Sequence, residues 1–365
     1  MQILITGANS FIGKNLKVEL ANRGFNDVVG IDGCDNIDEL KRYVKESGFI
    51  FHLLTIHRTD DESAFERINY EATKEIVDLI GYQSKALLLL SSTQAENSSA
   101  YGQSKLQAEE IVKEWMSATG SKVYIFRLAN EFGKWCPPNL NSVVATFCNN
   151  IASNKDIQIN NPNAPLKLMY IDDIIDSFIS TLENGATSVY GEVEPVYATT
   201  VGEVAKIIQS FQTMRTRSDV PNMDDGLVKK LYSTYLSYLP TDGFSMPLQT
   251  HTDTRGSFTE LLHLGGMGQV SVNISKPGVT KGNHWHHTKN EKFIVIAGEG
   301  VIKLRKVSTD DIVEYKVSGE NMQVVDIPPG YTHNITNTSG TDMVTIMWAN
   351  EIFDNKKPDT YFEEV

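Results

Sequence analysis

The chain of 365 residues is poor in cysteine, in positive charge and in long apolar runs, and each shortage excludes something. Its three cysteines, Cys34, Cys136 and Cys148, are scattered and form no close pair. That argues against a disulfide framework or a cysteine-rich zinc site, and for reduced, buried thiols. Lysine and arginine number 33 against 46 acidic residues, a formal net charge of −13, so no basic stripe awaits a nucleic acid. A phosphate-bearing substrate needs only a local positive pocket and is not excluded. The densest apolar run, "ALLLLSS" from Ala86, is far too short to span a bilayer. Met1 leads straight into "QILITG", without the basic and apolar segments of a signal peptide. The expected address is the cytoplasm, off the membrane.

What is present is ordinary globular material, 41% hydrophobic and 9% aromatic, long enough for two or three domains with full cores. From residue 1 to about 245, "MQILITG", "DVVGID", "FIFHLL", "ALLLLSS" and "KVYIFRL" are each followed by polar, helix-length sequence. That alternation predicts βαβ units and a doubly wound parallel sheet of the Rossmann type. From about residue 250 the texture changes to short β-rich segments broken by Gly, Pro and Asn, such as "GQVSVNISKPG" and "MVTIMWAN". Such spacing predicts an all-β barrel or jelly roll. The Pro240–Pro247 stretch is the boundary, giving domains 1–245 and 246–365.

In "ILITGANSFIG" a strand runs into Gly7, and Gly13 begins a helix whose N-terminal amides can receive a pyrophosphate. Ser10 stands where a middle glycine is usual, and Phe11 and Ile12 complete the candidate cofactor turn. The second strand ends in Asp32, where a carboxylate accepts hydrogen bonds from a ribose diol and repels a 2′-phosphate. Gly33 beside it offers no cation; only Lys14 and Arg23 are placed to reach such a phosphate. "YGQSK" sets Tyr101 and Lys105 one helical turn apart, and "LLLLSSTQA" ends a strand with Ser91, Ser92 and Thr93. A tyrosine four residues before a lysine is commonplace. The glycine turn, the hydroxyl cluster and the pair, in this order, make a site.

These motifs, with Asn69 in "INYEAT", Arg127 and Asn130 in "RLANEFG", and Asp172 and Asp173 in "YIDD", resemble the nucleotide-sugar branch of the extended short-chain dehydrogenase/reductases. The resemblance implies that Tyr101 gives a proton to a carbonyl and that Lys105 lowers its pKa and holds the nicotinamide ribose. Thr93, with Ser92 as runner-up, would hydrogen-bond the carbonyl oxygen, and Asn130 would contact substrate. The family's habit implies NADPH, whereas Asp32 implies that NADH serves at least comparably. There are two departures. Thr55 replaces a glycine after the third strand. Gln94 and Ala95 follow Thr93 where the family's dehydratases carry an acidic pair, which leaves ketone reduction rather than dehydration.

The C-terminal region holds "HWHHTKNE", three of the chain's eight histidines within four positions. His284 and His286, two apart on a strand, share a face, with Glu291 four residues after His287 and His333 returning in "PPGYTH". With Gly278, Gly298 and Asn337 around them, these residues resemble the cupin metal signature. They imply one divalent ion, zinc foremost, with manganese or iron also suited to the ligands. The alternative is an empty cupin whose histidines act as bases or core. His287 alternates to the opposite face. "DTRGSFTE" resembles a motif of cupin-type epimerases acting on nucleotide-linked 4-keto-6-deoxysugars, in which Arg255 would reach the nucleotide diphosphate. Lys276, Lys281, Lys289 and Lys292 would supply a local positive field. His284 stands where those epimerases keep a base, so it is either base or ligand.

A reductase ahead of a cupin, with "YSTYLSYLP" between and "DTYFEEV" at the end, resembles the capsular polysaccharide-synthesising enzyme F family over the whole chain. The implied substrate is a UDP-sugar of the UDP-N-acetyl-L-fucosamine pathway. The cupin would epimerise C3 of a UDP-2-acetamido-2,6-dideoxy-4-hexulose, and the reductase would reduce C4 to UDP-2-acetamido-2,6-dideoxy-L-talose, in a homodimer. The alternative is a 4-ketoreductase whose cupin only dimerises. A non-catalytic cofactor sensor would have lost the Tyr101/Lys105 pair. The tyrosines of "KKLYSTYLSYLP", at helical spacing, are expected in the core or at a subunit contact.

Overall fold

All five apolar runs of the N-terminal region form strands of one parallel sheet, in the computed structural model that describes residues 1–33, 37–354 and 356–365. Cys34 lies outside the described residues; Cys136 and Cys148 are buried free thiols. The strand order is Val28–Ile31, Gln2–Thr6, Ser47–His52, Ala86–Ser92, Lys122–Leu128 and Tyr190–Gly191, every pair parallel. The runs are apolar throughout because both faces of the sheet are covered. Ile3, Ile5, Phe49, Phe51, Leu88 and Leu90 join one core cluster, while Leu4, Ile50, Leu87 and Leu89 join the other. The period of two thus separates one continuous run into two cores.

Chain order reverses between Gln2–Thr6 and Ser47–His52, since the second strand lies outside the first and the third lies on its other side. Ligands of such sheets bind outside the carboxyl ends of the strands at that switch point. The expected site residues cluster there. A smaller sheet joins Asn130–Phe132, Pro165–Tyr170 and Tyr197–Thr200. In the tyrosine-rich stretch Tyr235 of the helix Gly226–Leu236 is buried together with Leu231, whereas Tyr232, Leu236, Tyr238 and Leu239 are half-buried.

The chain divides into two compact units, Met1–Ile208 with Lys230–Leu239 and Gln209–Lys229 with Pro240–Val365. The second unit carries two antiparallel sheets, the cupin barrel. One runs Thr250–Asp253, Gly256–His263, Gln269–Ser275, Met343–Ala349, Glu291–Ala297 and Val325–Ile327. The other runs Ile312–Ser318, Glu299–Lys306, Tyr331–Asn337, Thr280–Trp285 and Tyr361–Phe362. Phe293 and Val295 from the first pack with Ile302, Leu304 and Ile335 from the second in one core. The strand Gln269–Ser275 differs: its buried positions are Gln269, Ser271, Asn273 and Ser275. A polar inward face is costly unless it is partnered, and it marks the part of the barrel that holds a cavity. Among the described residues no helix is long and apolar enough to cross a membrane.

Candidate functional site

The glycine turn of the first unit is tight at both glycines. Gly7 has φ of +71°, and a Cβ there would stand 2.9 Å from the Leu54 nitrogen. A Cβ on Gly13 would stand 2.2 Å from the Gly7 carbonyl oxygen, so the helix Phe11–Asn22 approaches its strand only because Gly13 has no side chain. Ser10 caps that helix, its Oγ accepting from the Gly13 amide at 3.0 Å. Ser10, Phe11 and Ile12 line a cleft of about 370 Å³ that also takes in Tyr101, Asn130 and Glu131. Asp32, exposed at the end of its strand, accepts from the Asn9 amide nitrogen at 2.6 Å and from the Asn9 side chain. These residues fit a dinucleotide whose ribose diol meets Asp32. Arg23 is turned away: it is paired with Glu19 at 2.8 Å and with Asp176, so it is not the phosphate cation that its position suggested.

Tyr101 and Lys105 lie on the helix Ala100–Thr119 and are both buried. Lys105 Nζ donates to the Leu90 carbonyl at 2.9 Å. Burial lowers its pKa to about 7, with Glu131 and then Glu109 pulling upward. Burial also pushes the Tyr101 phenol up to about 12, against an opposing pull from the Ser92 and Thr55 hydroxyls. In the protein by itself desolvation, and not the ammonium expected at Lys105, sets the direction for Tyr101. The hydroxyl expected at Thr93 lies just outside the cleft lining. Ser91 faces the other side of the sheet and donates to Glu109 at 2.5 Å, Ser92 is buried in the cleft wall, and Thr93 is exposed where the strand gives way to a turn. Of the two hydroxyls, Ser92 lines the cleft as it stands. Asn130 lines the cleft and donates to the Lys167 carbonyl at 3.1 Å. Arg127 is structural, with Nε and Nη2 on the buried Glu109 carboxylate at 2.8 and 2.7 Å.

Two groups escaped the sequence reading. His57 places Nδ1 at 3.0 Å from the Tyr101 hydroxyl. Desolvation and then the Lys105 charge bring its pKa down to about 4, although the residue as a whole is exposed. Glu131, half-buried, is raised to about 7 by desolvation, with Lys105 pulling it down. Its only sequence signal was a position inside "RLANEFG", next to Asn130. The loop bearing His57 is pinned by Asn69, whose Oδ1 accepts from the Ile56 amide at 2.9 Å and the Thr55 hydroxyl at 3.0 Å. Asn69 itself sits in a π-helical turn, Glu66–Glu71, and also donates to Ser104 Oγ at 3.0 Å.

In the second unit His284, His286, Glu291 and His333 converge, with one ligand atom from each lying within 4.8 Å of all the others. Strand pairing sets His284 directly opposite His333, and Glu291 opens its own strand in the other sheet. A bulge between Gly282 and His284, with Asn283 at φ of +58°, re-aims the histidine strand at its end. His286 Nδ1 donates to the Asp359 carbonyl at 2.6 Å, which leaves its Nε2 lone pair facing the cluster. His286 Nε2, His333 Nε2 and Glu291 Oε2 are buried with no hydrogen-bond partner outside the cluster, Glu291 Oε2 lying 3.2 Å from His333 Nε2 and 3.5 Å from His286 Nε2. Three buried acceptors facing one point call for a cation, so the donor set fits a divalent metal. His284 is pulled down to about 4, by burial first and His333 next, and stays a neutral imidazole suited to ligation. His287 is exposed and packs on Trp285 and Tyr361, on the opposite face as expected.

Asp359 is the organiser that the sequence hid. Its carboxylate accepts from the amides of His287, Thr288 and Lys289 at 2.9–3.0 Å, clamping the C-terminal tail over the histidine loop. Beside the cluster a cavity of about 450 Å³ is lined by His284, His333, Arg255, Lys281, Asn273 and His251 among others. The expected lysine field shrinks to one lining residue. Lys276 pairs with Asp342, Lys292 pairs with Asp326, and Lys289 is buried against the Pro358 carbonyl. Lys281 donates to Asn273 Oδ1 at 2.6 Å, and Arg255 rests on Asp253 at 2.7 Å.

The chain matches the model of the NAD dependent epimerase/dehydratase family over residues 3–194 and that of the polysaccharide biosynthesis C-terminal domain over residues 251–361. It is 42% identical to the UDP-2-acetamido-2,6-beta-L-arabino-hexul-4-ose reductase of Pseudomonas aeruginosa, across 99% of this chain and 98% of that one. The crystal structure of the capsular polysaccharide assembling protein CapF from Staphylococcus aureus matches with a TM-score of 0.92 and 46% identity, 100% of each chain being covered. A UDP-glucose 4-epimerase from Thermotoga maritima, at 18% identity and a TM-score of 0.53 over 65% of this chain and 98% of its own, shares the fold alone.

Proposed function

Since the chain belongs to the NAD dependent epimerase/dehydratase family and, over its whole length, to the capsular polysaccharide-synthesising enzyme F family, we propose that it is a bifunctional nucleotide-sugar enzyme. Its substrate is a UDP-2-acetamido-2,6-dideoxy-4-hexulose. The second unit inverts C3 and the first reduces C4, giving UDP-2-acetamido-2,6-dideoxy-L-talose for surface polysaccharide. The two chemistries suit one another: the C4 ketone acidifies the C3 proton, and its reduction locks the new configuration. We place the enzyme in the cytoplasm as a homodimer.

The observation that carries the reductase is the Tyr101 phenol, buried in the glycine-turn cleft among the Ser92, Thr55 and His57 side chains. A nicotinamide cofactor would supply the hydride there. Thr93 or, from its place in the cleft wall, Ser92 would hydrogen-bond the ketone oxygen, Tyr101 would protonate it, and Lys105 would hold the ribose and favour the phenolate left behind. Gln94 lines the same cleft and carries no acid or base for dehydration. In the second unit His284, His286, Glu291 and His333 would hold a divalent ion, most simply zinc, which would act as a Lewis acid toward the ketone. Arg255 and Lys281 would meet the anionic part of the substrate in the adjoining cavity. The general base for C3 is one of the cavity's remaining polar groups.

Mass spectrometry of the product formed in heavy water tests both halves. Incubation of UDP-2-acetamido-2,6-dideoxy-4-hexulose with NADH or NADPH should give a reduced sugar carrying one solvent deuterium on carbon. Reduced product without that deuterium would leave the second unit a dimerising barrel only. No cofactor consumption with any UDP-4-keto sugar would remove the reductase reading itself.

A further inference from the structure

We propose that His57 is a positioning and proton-relay residue, acting through Tyr101 to return a proton to the phenolate after each reduction. The reading rests on the ketoreductase assignment and on a contact that assignment does not need. Tyr101 is 7% exposed, so the phenolate left when its proton goes to the substrate oxygen has little direct access to water. His57 Nδ1 lies 3.0 Å from the phenol oxygen, and the two rings are 5.6 Å apart. His57 is exposed as a residue, so its side chain runs from the protein surface to the buried hydroxyl.

The loop is built to keep it there. Asn69 holds the Thr55 hydroxyl and the Ile56 amide through one oxygen, and its own nitrogen donates to the Ile56 carbonyl at 3.2 Å. Phe65, 5.7 Å from the Tyr101 ring, closes another side of the phenol. The other charged groups facing this spot are Lys105, on the tyrosine's own helix, and Glu131, on the strand Asn130–Phe132. Lys105 Nζ is engaged with the Leu90 carbonyl, and Lys105 charge disfavours an imidazolium at His57.

A relay through a neutral ring meets that restriction. The His57 Nδ1–H bond breaks as the phenolate O–H bond forms, while Nε2 takes a proton from water. The ring ends as the other tautomer, with no net charge on it at any stage beyond the transfer itself. Rotation or solvent exchange restores the starting tautomer. Substrate, phenol and imidazole all balance, with water as the proton source.

The test compares His57→Ala and His57→Gln with wild-type full-length protein, following cofactor oxidation with the UDP-4-keto sugar across pH. Glutamine keeps a hydrogen-bonding group but has no second nitrogen to exchange a proton. Both variants should lose kcat by about a hundredfold, the lower end of the range for positioned proton transfer, with KM little changed. Added imidazole should restore His57→Ala saturably, and the restored rate should follow the ionisation of the added base. Unchanged kcat in both variants, or a loss that imidazole does not restore, would overturn the relay. An arm without turnover uses ¹⁵N-histidine NMR of the cofactor-free protein: the His57 Nδ1 signal should move on Tyr101→Phe, and an indifferent signal overturns the pairing. Wild type that consumes no cofactor would instead count against the ketoreductase reading, leaving the NMR result to judge the pair.

Discussion

The two sites of this chain are built on opposite principles. In the cleft of the first unit the side-chain polar atoms around Tyr101 have partners inside the protein: His57 on Tyr101, Ser104 on Asn69, Leu90 on Lys105. In the cluster of the second unit three buried ligand atoms face one another with none. The first arrangement suits proton transfer, because a chain of satisfied donors and acceptors can exchange protons. The second waits for a positive charge, because acceptors alone cannot satisfy acceptors. Hydrogen-bond accounting therefore separates an acid–base site from a metal site before any ligand is considered.

The largest expected effect is a crossed loss of function that would break this contrast if it failed. Tyr101→Phe should cut cofactor oxidation by about 10²–10⁴-fold and leave solvent deuterium exchange into the sugar intact. His333→Ala should strip the metal, seen by elemental analysis, and cost exchange roughly a hundredfold or more, since even outer partners of a metal ligand cost 10–100-fold. Folded variants that lose both activities together would argue for one shared site, and wild type without stoichiometric metal would remove the cation from the account.

Cofactor choice sharpens the first half of the comparison. With Asp32 tied to Asn9 at the strand end and Arg23 committed to Glu19 and Asp176, NADH should be used at least as well as NADPH. Asp32→Ala should shift the ratio of kcat/KM values toward NADPH by about tenfold, roughly 1.4 kcal/mol of removed repulsion. Strong wild-type preference for NADPH in steady-state kinetics would show that Lys14 or a backbone amide recruits the phosphate regardless.

The smallest effect is on stability. Burial holds Glu131 up at about 7, above its ordinary value, so in the window from about 4.5 to 7 the folded chain keeps a proton that the unfolded chain has released. Its contribution is present at low pH and is lost as pH rises through about 7. Lys105 works in the other direction: its buried charge disfavours folding at low pH, and that cost is relieved above about 7. Glu131→Gln should therefore gain on wild type between pH 5 and pH 7.5, by about 2–4 °C in the thermal midpoint. Parallel midpoints across that range would show that Glu131 titrates as an ordinary solvated carboxyl.

How far the sequence was legible follows from the range of each signal. The five apolar runs, the glycine turn and the Tyr101/Lys105 pair are local: strand burial, a close backbone approach and one helical turn are written in neighbouring residues. The histidine cluster was legible because His284, near the end of the strand Thr280–Trp285, and His286, just past it, come to one side, while Glu291 and His333 matched a known spacing. The order of Thr93 and Ser92 was not legible because it turns on the exact residue at which the strand of Ala86–Ser92 stops alternating, and a turn decides that.

By itself the sequence determined the parallel sheet followed by a β barrel, the cofactor turn and the four candidate ligands. Only the tertiary structure decided that His57 reaches Tyr101 across 44 positions, that Asp359 clamps the histidine loop from 70–72 positions away, and that three of the four lysines are spent on other partners. Those outcomes depend on which loop a packed core brings alongside which helix or strand. Local propensity and spacing carry no term for such contacts; the closure of the whole chain supplies it.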